Sequence, residues 1–467
     1  MLRPRVSLCL IAKDEEANLP RCLASVAGLV DEVIVVDTGS SDRTPELART
    51  FGARVFHLPW EDDFARARNY SLEQASGQWI FCLDADEELV GGRERLGELL
   101  AAEGVEGYWV EILNLVDTPE GVRDCLRHYS LRLWRHRPHY RFRGPIHEEI
   151  FSSIREARPE ARLAVAPLRI VHYGYTAAAK KVRNKAERNL RIVERALAAD
   201  PANPELKYYQ GLEYWQLGRP QKAAECFAEA WDNWGWEQPL PARLVRDYAV
   251  CLLALERYPQ ARQIVERGLA WYPDYPDLLY LLAHAQRALG QREEAVESLN
   301  RCLALGEAGP GYVTTLGTGG HKACLLAGEI LEEMELFSEA AKAYTVALQR
   351  APNYLPALYG LMRVLSRLGD PAWCVAYLDR YFDFTTPRAV AAVVGAAAAA
   401  GTTEVGIRLA QKALAGAPEE PAFRRELARA YLLRAKEILD RARHLRGVPR
   451  LEEERERIEA ALAGAES

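Results

Sequence analysis

Short apolar runs and amphipathic segments alternate along the first 175 residues of the chain. The runs are rich in valine, isoleucine and leucine and have the length and composition of buried strands. The segments between them carry apolar residues three and four positions apart, which is typical of helices. We predict strands at 6–12, 32–36, 54–57 and 79–83, and helices at 18–27, 44–51 and 64–75. Strands that alternate with helices favour a doubly wound α/β domain with a parallel sheet.

From about residue 176 the pattern becomes all-helical, and no further strand is predicted. Residues 177–199 form one long helical pattern that ends at Asp200-Pro201. Small and aromatic residues then recur at the spacing of tetratricopeptide repeats, in which paired helices pack closely. The recurring positions are Gly211, Tyr214, Gly218, Ala223, Phe227 and Ala230, then Ala261, Val265, Gly268 and Pro273, then Ala295, Leu299 and Cys302, then Ala340, Tyr344, Ala347 and Pro352. We predict a solenoid of about five or six helical hairpins.

The change of pattern divides the chain into an α/β domain with its linking helix over 1–200 and a helical-repeat domain over 201–467. The repeats are either a structural or dimerising appendage or a concave surface for a peptide or protein. The glycine-rich segment 317–322 has no strand pattern before it, so we interpret it as an insertion between hairpins and not as a phosphate loop.

Three acidic segments follow predicted strands of the α/β domain. They are Lys13-Asp14-Glu15, residues 37–42 and Asp84-Ala85-Asp86. The carboxyl ends of parallel strands meet at one edge of a sheet, where ligands of such domains bind. Crowded carboxylates repel one another, and a divalent cation with hard oxygen ligands offsets that repulsion. For the third segment the alternative is the acidic first turn of a helix.

Composition narrows the class of protein. The formal net charge is −6, so nothing in the overall charge favours nucleic acid as a partner. The nine cysteines are scattered without a C-x-x-C pair, which favours a reducing compartment over a zinc site or a disulfide framework. No signal-peptide core or membrane-spanning run is recognisable, so we expect a soluble cytoplasmic protein.

Four blocks stand out in the first ninety residues: SLCLIAKDEE (7–16), DEVIVVDTGSSDRT (31–44), WEDDFARARN (60–69) and GQWIFCLDADEEL (77–89). Together they resemble the family 2 glycosyltransferases of the GT-A fold, although a Lys-Asn-Glu typical of that family reads Lys-Asp-Glu here. GPIHEE (144–149) and HYGY (172–175) resemble later blocks of a bacterial subgroup that joins this domain to tetratricopeptide-like helices. The subgroup includes sublancin-type peptide S-glycosyltransferases, and its front end is similar to lipopolysaccharide-core glycosyltransferases. The implied fold is a Rossmann-like GT-A domain with a mixed or parallel sheet, followed by an all-α solenoid.

The resemblance implies transfer of a sugar from a nucleotide diphosphate sugar, with a UDP-sugar as the expected donor, Mn²⁺ or Mg²⁺ as the cofactor, and inversion at the anomeric carbon. Asp37 is expected at the nucleobase or ribose, Asp84 at the ribose or a metal-bound water, and Asp86 at the metal ion. The implied donor-binding residues are Ala12, Lys13, Glu15, Asp37, Ser40, Arg68, Asn69 and Asp84. The alternative for Arg68 is a surface ion pair, which is a common and weak interaction.

The metal ligands implied are the Asp84-x-Asp86 pair, the DxD motif, with a histidine to complete the shell. His147 is the ligand we predict, and His172 is the other candidate. The alternative for either histidine is a hydrogen-bonded structural role.

The general base is expected to be a carboxylate, as in inverting enzymes of this fold. Glu148 is the first candidate and Glu149 the second, because both follow a Gly144-Pro145 turn that can return to the site. His147 is the third candidate for a catalytic role. A cysteine acceptor would need less help from a base, since part of it is thiolate near neutral pH.

Residues 123–143 carry seven arginines and one aspartate. They either line an acceptor or diphosphate pocket or form a β-ribbon with solvated arginines, the latter being typical of alternating polar and apolar residues.

Three functions fit the sequence. The chain glycosylates a peptide or protein bound by the repeats, or it glycosylates a lipid-linked glycan of the cell envelope, or it is a repeat scaffold whose catalytic domain has decayed. A homodimer is compatible with each of them.

Overall fold

The computed structural model describes residues 5–117, 123–173, 179–235, 241–352, 354–441 and 449–466. The chain forms two compact units. The first consists of Met1–Leu281 and Glu307–Leu316, and the second of Leu282–Gly306 and Gly317–Ser467. The predicted domain boundary between residues 200 and 201 stays a prediction.

A mixed sheet forms the centre of the first unit. Its strands are β1 Val6–Ala12, β2 Glu32–Asp37, β3 Arg54–His57, β4 Trp79–Cys82, β5 Glu87–Gly91, β6 Val105–Asp117, β7 Arg123–Arg135, β8 Arg162–His172 and β9 Thr314–Thr315. The order is β3-β2-β1-β4-β7-β6-β8-β5, with β9 added to β7. Strands β1 to β4 are parallel, as predicted, and β7 runs antiparallel to β4. The predicted GT-A type of fold is confirmed.

Helices cover both faces of this sheet. They are α1 Leu19–Ser25, α2 Thr44–Thr50, α3 Phe64–Glu73, α4 Leu96–Ala101 and α5 Phe151–Ala157. Successive side chains of a strand point to opposite faces. Leu8 and Phe81 therefore join one hydrophobic core, and Cys9 and Ile80 join the other. These two cores fix the strand register, and with it the positions of the loops at the carboxyl ends.

The helical repeats begin within the first unit. After β8, this unit contains the helices α6 Ala179–Ala199, α7 Pro204–Gln216, α8 Pro220–Asn233, α9 Ala242–Ala254, α10 Tyr258–Trp271 and α11 Pro276–Ala288, the last of which continues into the second unit. A Cβ on Gly211 would lie 2.5 Å from the ring of Phe227, and one on Gly268 would lie 2.4 Å from Val245. The small residues of the repeat pattern are therefore required for close helix packing, and the predicted repeat architecture is confirmed.

The second unit is helical in its described residues. It contains α12 Arg292–Leu305, α13 His321–Glu333, α14 Phe337–Arg350, α15 Leu355–Leu368, α16 Pro371–Tyr381, α17 Pro387–Ala399, α18 Thr403–Gly416, α19 Pro421–Arg441 and α20 Pro449–Glu466. Tyr344 is fully buried and packs against the backbones of Gly328 and Gly360. In the described part of the chain, no helix has both the length and the apolar content needed to cross a membrane.

The prediction that no strand follows residue 176 is wrong at β9. Thr314 and Thr315 pair with Arg127 and Leu126 of β7. The buried Asp277 of α11 accepts a hydrogen bond of 3.1 Å from the backbone N–H of Thr315. A segment between two repeat hairpins thus joins the sheet, and a two-residue strand is too short to produce an alternating pattern.

Candidate active site

The loops after β1 and β2 are joined by hydrogen bonds at the carboxyl edge of the sheet. The Oδ1 of Asp14 accepts from the N–H of Ser41 at 2.7 Å, and the N–H of Asp14 donates to Ser40 Oγ at 3.0 Å. The N–H of Glu15 donates to Thr44 Oγ1 at 2.8 Å. Asp14 has a φ of +55°, a region that Asn and Asp adopt more readily than most residues. The backbone conformation therefore accounts for both the usual Asn and the Asp found here.

Asp37 ends β2 and is buried beneath the next turn. It accepts hydrogen bonds from the N–H of Ser40 at 3.1 Å and from Nδ1 of His57 at 3.0 Å. Ala12 is its register partner on β1, and the exposed Lys13 follows Ala12. Four of the predicted donor-binding residues are therefore close together at the ends of two neighbouring strands.

Asp84 lies between the buried Arg68 and the partly buried Arg132. Its Oδ1 accepts from Arg68 Nη2 at 2.6 Å, and its Oδ2 lies 3.3 Å from Arg132 Nη2. Arg68 also donates from Nε to Glu148. Burial alone would raise the pKa of Asp84, but the two guanidinium groups hold that pKa far below its usual range. A chain of alternating charges thus runs from Arg132 through Asp84 and Arg68 to Glu148.

Glu87 completes the turn after Asp84. Its Oε2 accepts from the N–H of Asp84 at 2.9 Å, and its Oε1 accepts from Arg132 at 2.6 Å. Burial raises the pKa of Glu87 to about 7, against the opposing effect of Arg132. Glu87 begins β5, which pairs with β8, so the interpretation of the acidic run as a helix start is wrong. Arg68 and Arg132 therefore offset part of the repulsion between the crowded carboxylates of this turn.

Asp86 faces His172, whose orientation is fixed by Asn114. The Nδ2 of Asn114 lies 3.1 Å from the carbonyl oxygen of Leu126, which can only accept, so this amide orientation is unambiguous. Oδ1 of Asn114 then accepts from Nδ1 of His172 at 2.8 Å. The same amide nitrogen donates to Nδ1 of His128 at 3.0 Å, so His128 accepts there as a neutral ring. The other nitrogen of His172, Nε2, faces Asp86.

The pair formed by Asp86 and His172 fits a divalent cation. Oδ1 of Asp86 and Nε2 of His172 are 3.3 Å apart. Ligand atoms about 2.0–2.2 Å from one ion at neighbouring positions lie about 3 Å apart. A metal-bound histidine usually donates its other N–H to an oxygen, as His172 does to Asn114. Within the described residues, no group of three or more His, Cys, Asp and Glu side chains is arranged to hold a metal ion.

Asp86 and His172 each favour the charged form of the other. Burial would raise the pKa of Asp86, but His172 and Lys185 hold it far below its usual range. Burial would lower the pKa of His172, but its hydrogen bond to Asp86 and the nearby carboxylates raise it. A metal ligand must be neutral imidazole, so a protonated His172 would have to lose its proton before it could bind a cation.

The loop of residues 144–149 brings Glu148 into the site. Asn69 holds the start of this loop, since its side chain exchanges hydrogen bonds of 2.8 and 2.9 Å with the backbone of Phe142. The Glu148 side chain is 10% exposed and faces Arg68. Glu149 accepts from the N–H of Ser152 at 2.8 Å, at the start of α5.

His147 belongs to the same loop but faces α7. Its ring stacks on Tyr209 with 4.0 Å between centroids, and its Nε2 lies 3.4 Å from Oε1 of Glu213. Among the described residues, the polar partners of Asp84 and Asp86 do not include His147. The structure brings Glu148 and His172 to the two aspartates, whereas the predicted roles of His147 and Glu149 stay predictions.

Most of the described arginines in the stretch 123–143 have structural partners. Arg137 bonds Glu106 through two nitrogens at 2.6 Å, and Arg135 covers the Trp79 ring at 4.3 Å. Only Arg132 of these three contacts the acidic turn. The β-ribbon interpretation is correct for the strand itself, because β6 and β7 form a long antiparallel pair.

Sequence reasoning missed Glu87, Asn114, Arg132 and Lys185 at this site. Arg132 and Glu87 lie in segments that attracted attention for their charge. Asn114 and Lys185 have no such signal. Lys185 is 99 positions from its partner Asp86 in the sequence. Pairing of β6 with β8 brings Asn114 opposite His172, and only that register identifies it.

Comparisons with known proteins agree with this architecture. Residues 7–152 match the profile of Glycosyl transferase family 2, and residues 183–234, 208–276 and 252–306 match tetratricopeptide repeat profiles. A TPR repeat-containing protein of Synechococcus elongatus is 35% identical over 323 residues, 64% of this chain and 75% of that protein.

The names of several relatives refer to glycosyl transfer. The prophage-derived glycosyltransferase SunS of Bacillus subtilis is 25% identical over 235 residues, 50% of this chain and 54% of that protein. The lipopolysaccharide core biosynthesis glycosyltransferase LpsC of Rhizobium meliloti is 33% identical over 177 residues, 35% of this chain and 64% of that protein. The chain thus spans about half the length of SunS and under two thirds of LpsC.

Proposed function

Because the chain belongs to the family 2 glycosyltransferases that carry tetratricopeptide repeats, we propose that it transfers a sugar from a UDP-sugar to a peptide or protein. The reaction depends on Mn²⁺ or Mg²⁺, inverts the anomeric carbon, and attaches the sugar to a serine or threonine oxygen or a cysteine sulfur. The observation that carries this proposal is the Asp86–His172 pair beside the Asp84–Arg68–Glu148 chain. The predicted cytoplasmic location and homodimer stay predictions.

Each group has a distinct task in this proposal. Asp37 accepts hydrogen bonds from the nucleobase or the ribose. Asp86 and His172 would hold the divalent cation, which would neutralise the diphosphate and act as a Lewis acid at the leaving group. Glu148 removes the acceptor proton. Its contact with Arg68 holds the side chain at the site.

The repeats support the choice of a peptide acceptor. Tetratricopeptide-like solenoids present extended surfaces to other chains. The later sequence blocks, 144–149 and 172–175, also resemble a subgroup that contains peptide S-glycosyltransferases. A lipid-linked glycan is the second candidate acceptor, favoured by the similarity to LpsC. A decayed scaffold is the third possibility, and the charge chain around Asp84 argues against it.

The test is a transfer assay with the purified protein. UDP-glucose or UDP-N-acetylglucosamine is incubated with peptides that contain a single Ser, Thr or Cys, in Mn²⁺ or in EDTA, and the peptide mass is measured. We expect a hexose or N-acetylhexosamine increment that EDTA and Asp86→Asn abolish. A parallel arm offers a lipid-linked glycan in vesicles. Transfer to that acceptor alone would overturn the peptide proposal, and equal transfer by Asp86→Asn would overturn the metal site.

A further inference from the structure

Lys185, a residue of α6, is the second cation on Asp86. Its Nζ lies 3.0 Å from Oδ2 of Asp86, while Oδ1 of the same carboxylate faces His172. The Asp86 side chain is 9% exposed and that of Lys185 is 35% exposed. The carboxylate that fits a divalent cation is therefore also the partner of a partly exposed ammonium group.

The helix that carries Lys185 is anchored beyond this residue. Ala186 and Val193 are fully buried, and Asn189 donates to the buried Glu213 at 3.2 Å. Arg195 forms an ion pair of 2.6 Å with Asp62. A lysine ammonium is a compact charge on a flexible four-carbon stem. The Lys185 ammonium can therefore change partner by rotation of its side chain, without movement of α6.

Two cations compete for Asp86 in this arrangement. An ammonium group and a divalent ion on one carboxylate repel each other strongly in a partly buried site. A metal ion on Asp86 would therefore displace Lys185. The diphosphate of a donor bound to that ion would offer Lys185 another anion, since lysine is a common point-charge partner of phosphate.

We infer that Lys185 exchanges between two anions, the Asp86 carboxylate and the diphosphate of a metal-bound donor. This inference rests on the proposed function. It makes Lys185 a donor-binding residue supplied by the helix that follows the catalytic sheet.

We expect Lys185→Met to change the affinities for Mn²⁺ and for UDP in opposite directions. Lys185→Met removes the competitor, so Mn²⁺ alone binds several-fold more tightly. The same change removes a charged partner of the diphosphate, so UDP at saturating Mn²⁺ binds about tenfold more weakly. An ion pair with only a structural role would leave both affinities unchanged or weaken both.

The experiment measures free Mn²⁺ by its paramagnetic resonance signal and UDP binding by calorimetry. Lys207→Met is the matched control, because Lys207 pairs with Glu229 at 2.6 Å on the repeat helices and is also partly buried. Lys185→Arg keeps the charge and is expected to stay close to wild type in Mn²⁺ affinity. Lys207→Met is expected to match wild type in both measurements.

Tighter Mn²⁺ with weaker UDP in Lys185→Met supports the inference. Unchanged affinities for both, or weaker binding of both, overturns it while the proposed function stands. If wild-type protein binds neither Mn²⁺ nor any of UDP, GDP and CDP, the proposed function fails and the inference fails with it.

Discussion

The Oδ1 of Asn114 lies 2.8 Å from Nδ1 of His172, and this hydrogen bond sets which ring nitrogen faces Asp86. Asn114 is fixed in turn by the backbone of Leu126 and by His128. Two side chains and one carbonyl group from neighbouring strands thus determine which tautomer a candidate metal ligand adopts. Asn114 is therefore a positioning residue.

Asn114→Leu is expected to weaken Mn²⁺ binding by about 10–100-fold, the usual effect of losing the hydrogen-bond partner of a ligating histidine. Resonance measurement of free Mn²⁺ checks this. The thermal midpoint, followed in parallel, shows whether the variant is folded. His172→Ala provides the reference for complete loss of the ligand. Wild-type affinity in a folded Asn114→Leu protein would contradict the role assigned to Asn114.

Arg68→Lys is expected to destabilise the first unit, because lysine carries its three donors on one nitrogen atom and cannot bond both Asp84 and Glu148 with the geometry of a guanidinium. One of the two carboxylates therefore loses its hydrogen-bonded partner. Complete removal of one partner from a buried ion pair costs about 3–5 kcal/mol in the free energy of unfolding, so we expect a loss of up to that size. Urea unfolding of the variant measures it. A cost within error of zero would show that the charge chain is not structural.

Glu148→Gln is expected to lower the transfer rate by about 10²–10⁴ with donor binding retained, because it removes the proposed base. Glu149→Gln is the matched comparison. Glu149 contacts Ser152 at the start of α5, and its change should alter stability more than rate. Single-turnover rates and donor affinities of both variants distinguish the two residues. The reverse ranking would identify Glu149 as the base.

The pH dependence of stability contains a contribution from His128. Burial lowers the pKa of His128 to about 4, assisted by the charges of Arg132 and His172. The unfolded chain binds a proton on this histidine at about pH 6.5, whereas the folded chain binds it only near pH 4. The contribution of His128 to the free energy of unfolding is therefore present above pH 6.5 and is lost as the pH falls towards 4. Its full size is about 3 kcal/mol.

His128→Gln keeps an acceptor for Asn114 and has no proton to gain. Its free energy of unfolding should therefore fall less than that of wild type between pH 7 and pH 4.5. Urea titrations at the two pH values measure the difference. Parallel loss of stability in the two proteins would place the pH sensitivity in other groups.

The strands and the acidic turn could be predicted from sequence because their signals are local. Leu8 and Cys9 alternate between two cores, and Asp84 and Asp86 follow an apolar run directly. Contacts made through distant chain segments have no local signal. Lys185 on α6 contacts Asp86 across 99 positions of sequence, and Thr315 of β9 is held by the distant Asp277 and paired with β7.

The histidine shows the same limit. His147 and His172 both lie in blocks that resemble the family, so sequence gives no reason to separate them. The pairing of β8 with β5 and β6 places His172 beside Asp86, whereas His147 stacks on Tyr209. The second half of its block, Gly174 and Tyr175, lies outside the described residues.

The most direct test of the central claim is thermal unfolding of wild type and Asp86→Asn with UDP-glucose, UDP-N-acetylglucosamine and other nucleotide sugars, in Mn²⁺ or in EDTA. A ligand at about a hundredfold excess over its dissociation constant stabilises the native state by about 2.7 kcal/mol. We predict a higher thermal unfolding midpoint for wild type with at least one nucleotide sugar in Mn²⁺. We predict no shift of that midpoint in EDTA or in Asp86→Asn. A shift of equal size in Asp86→Asn, or no shift of wild type with any donor, would contradict the central claim.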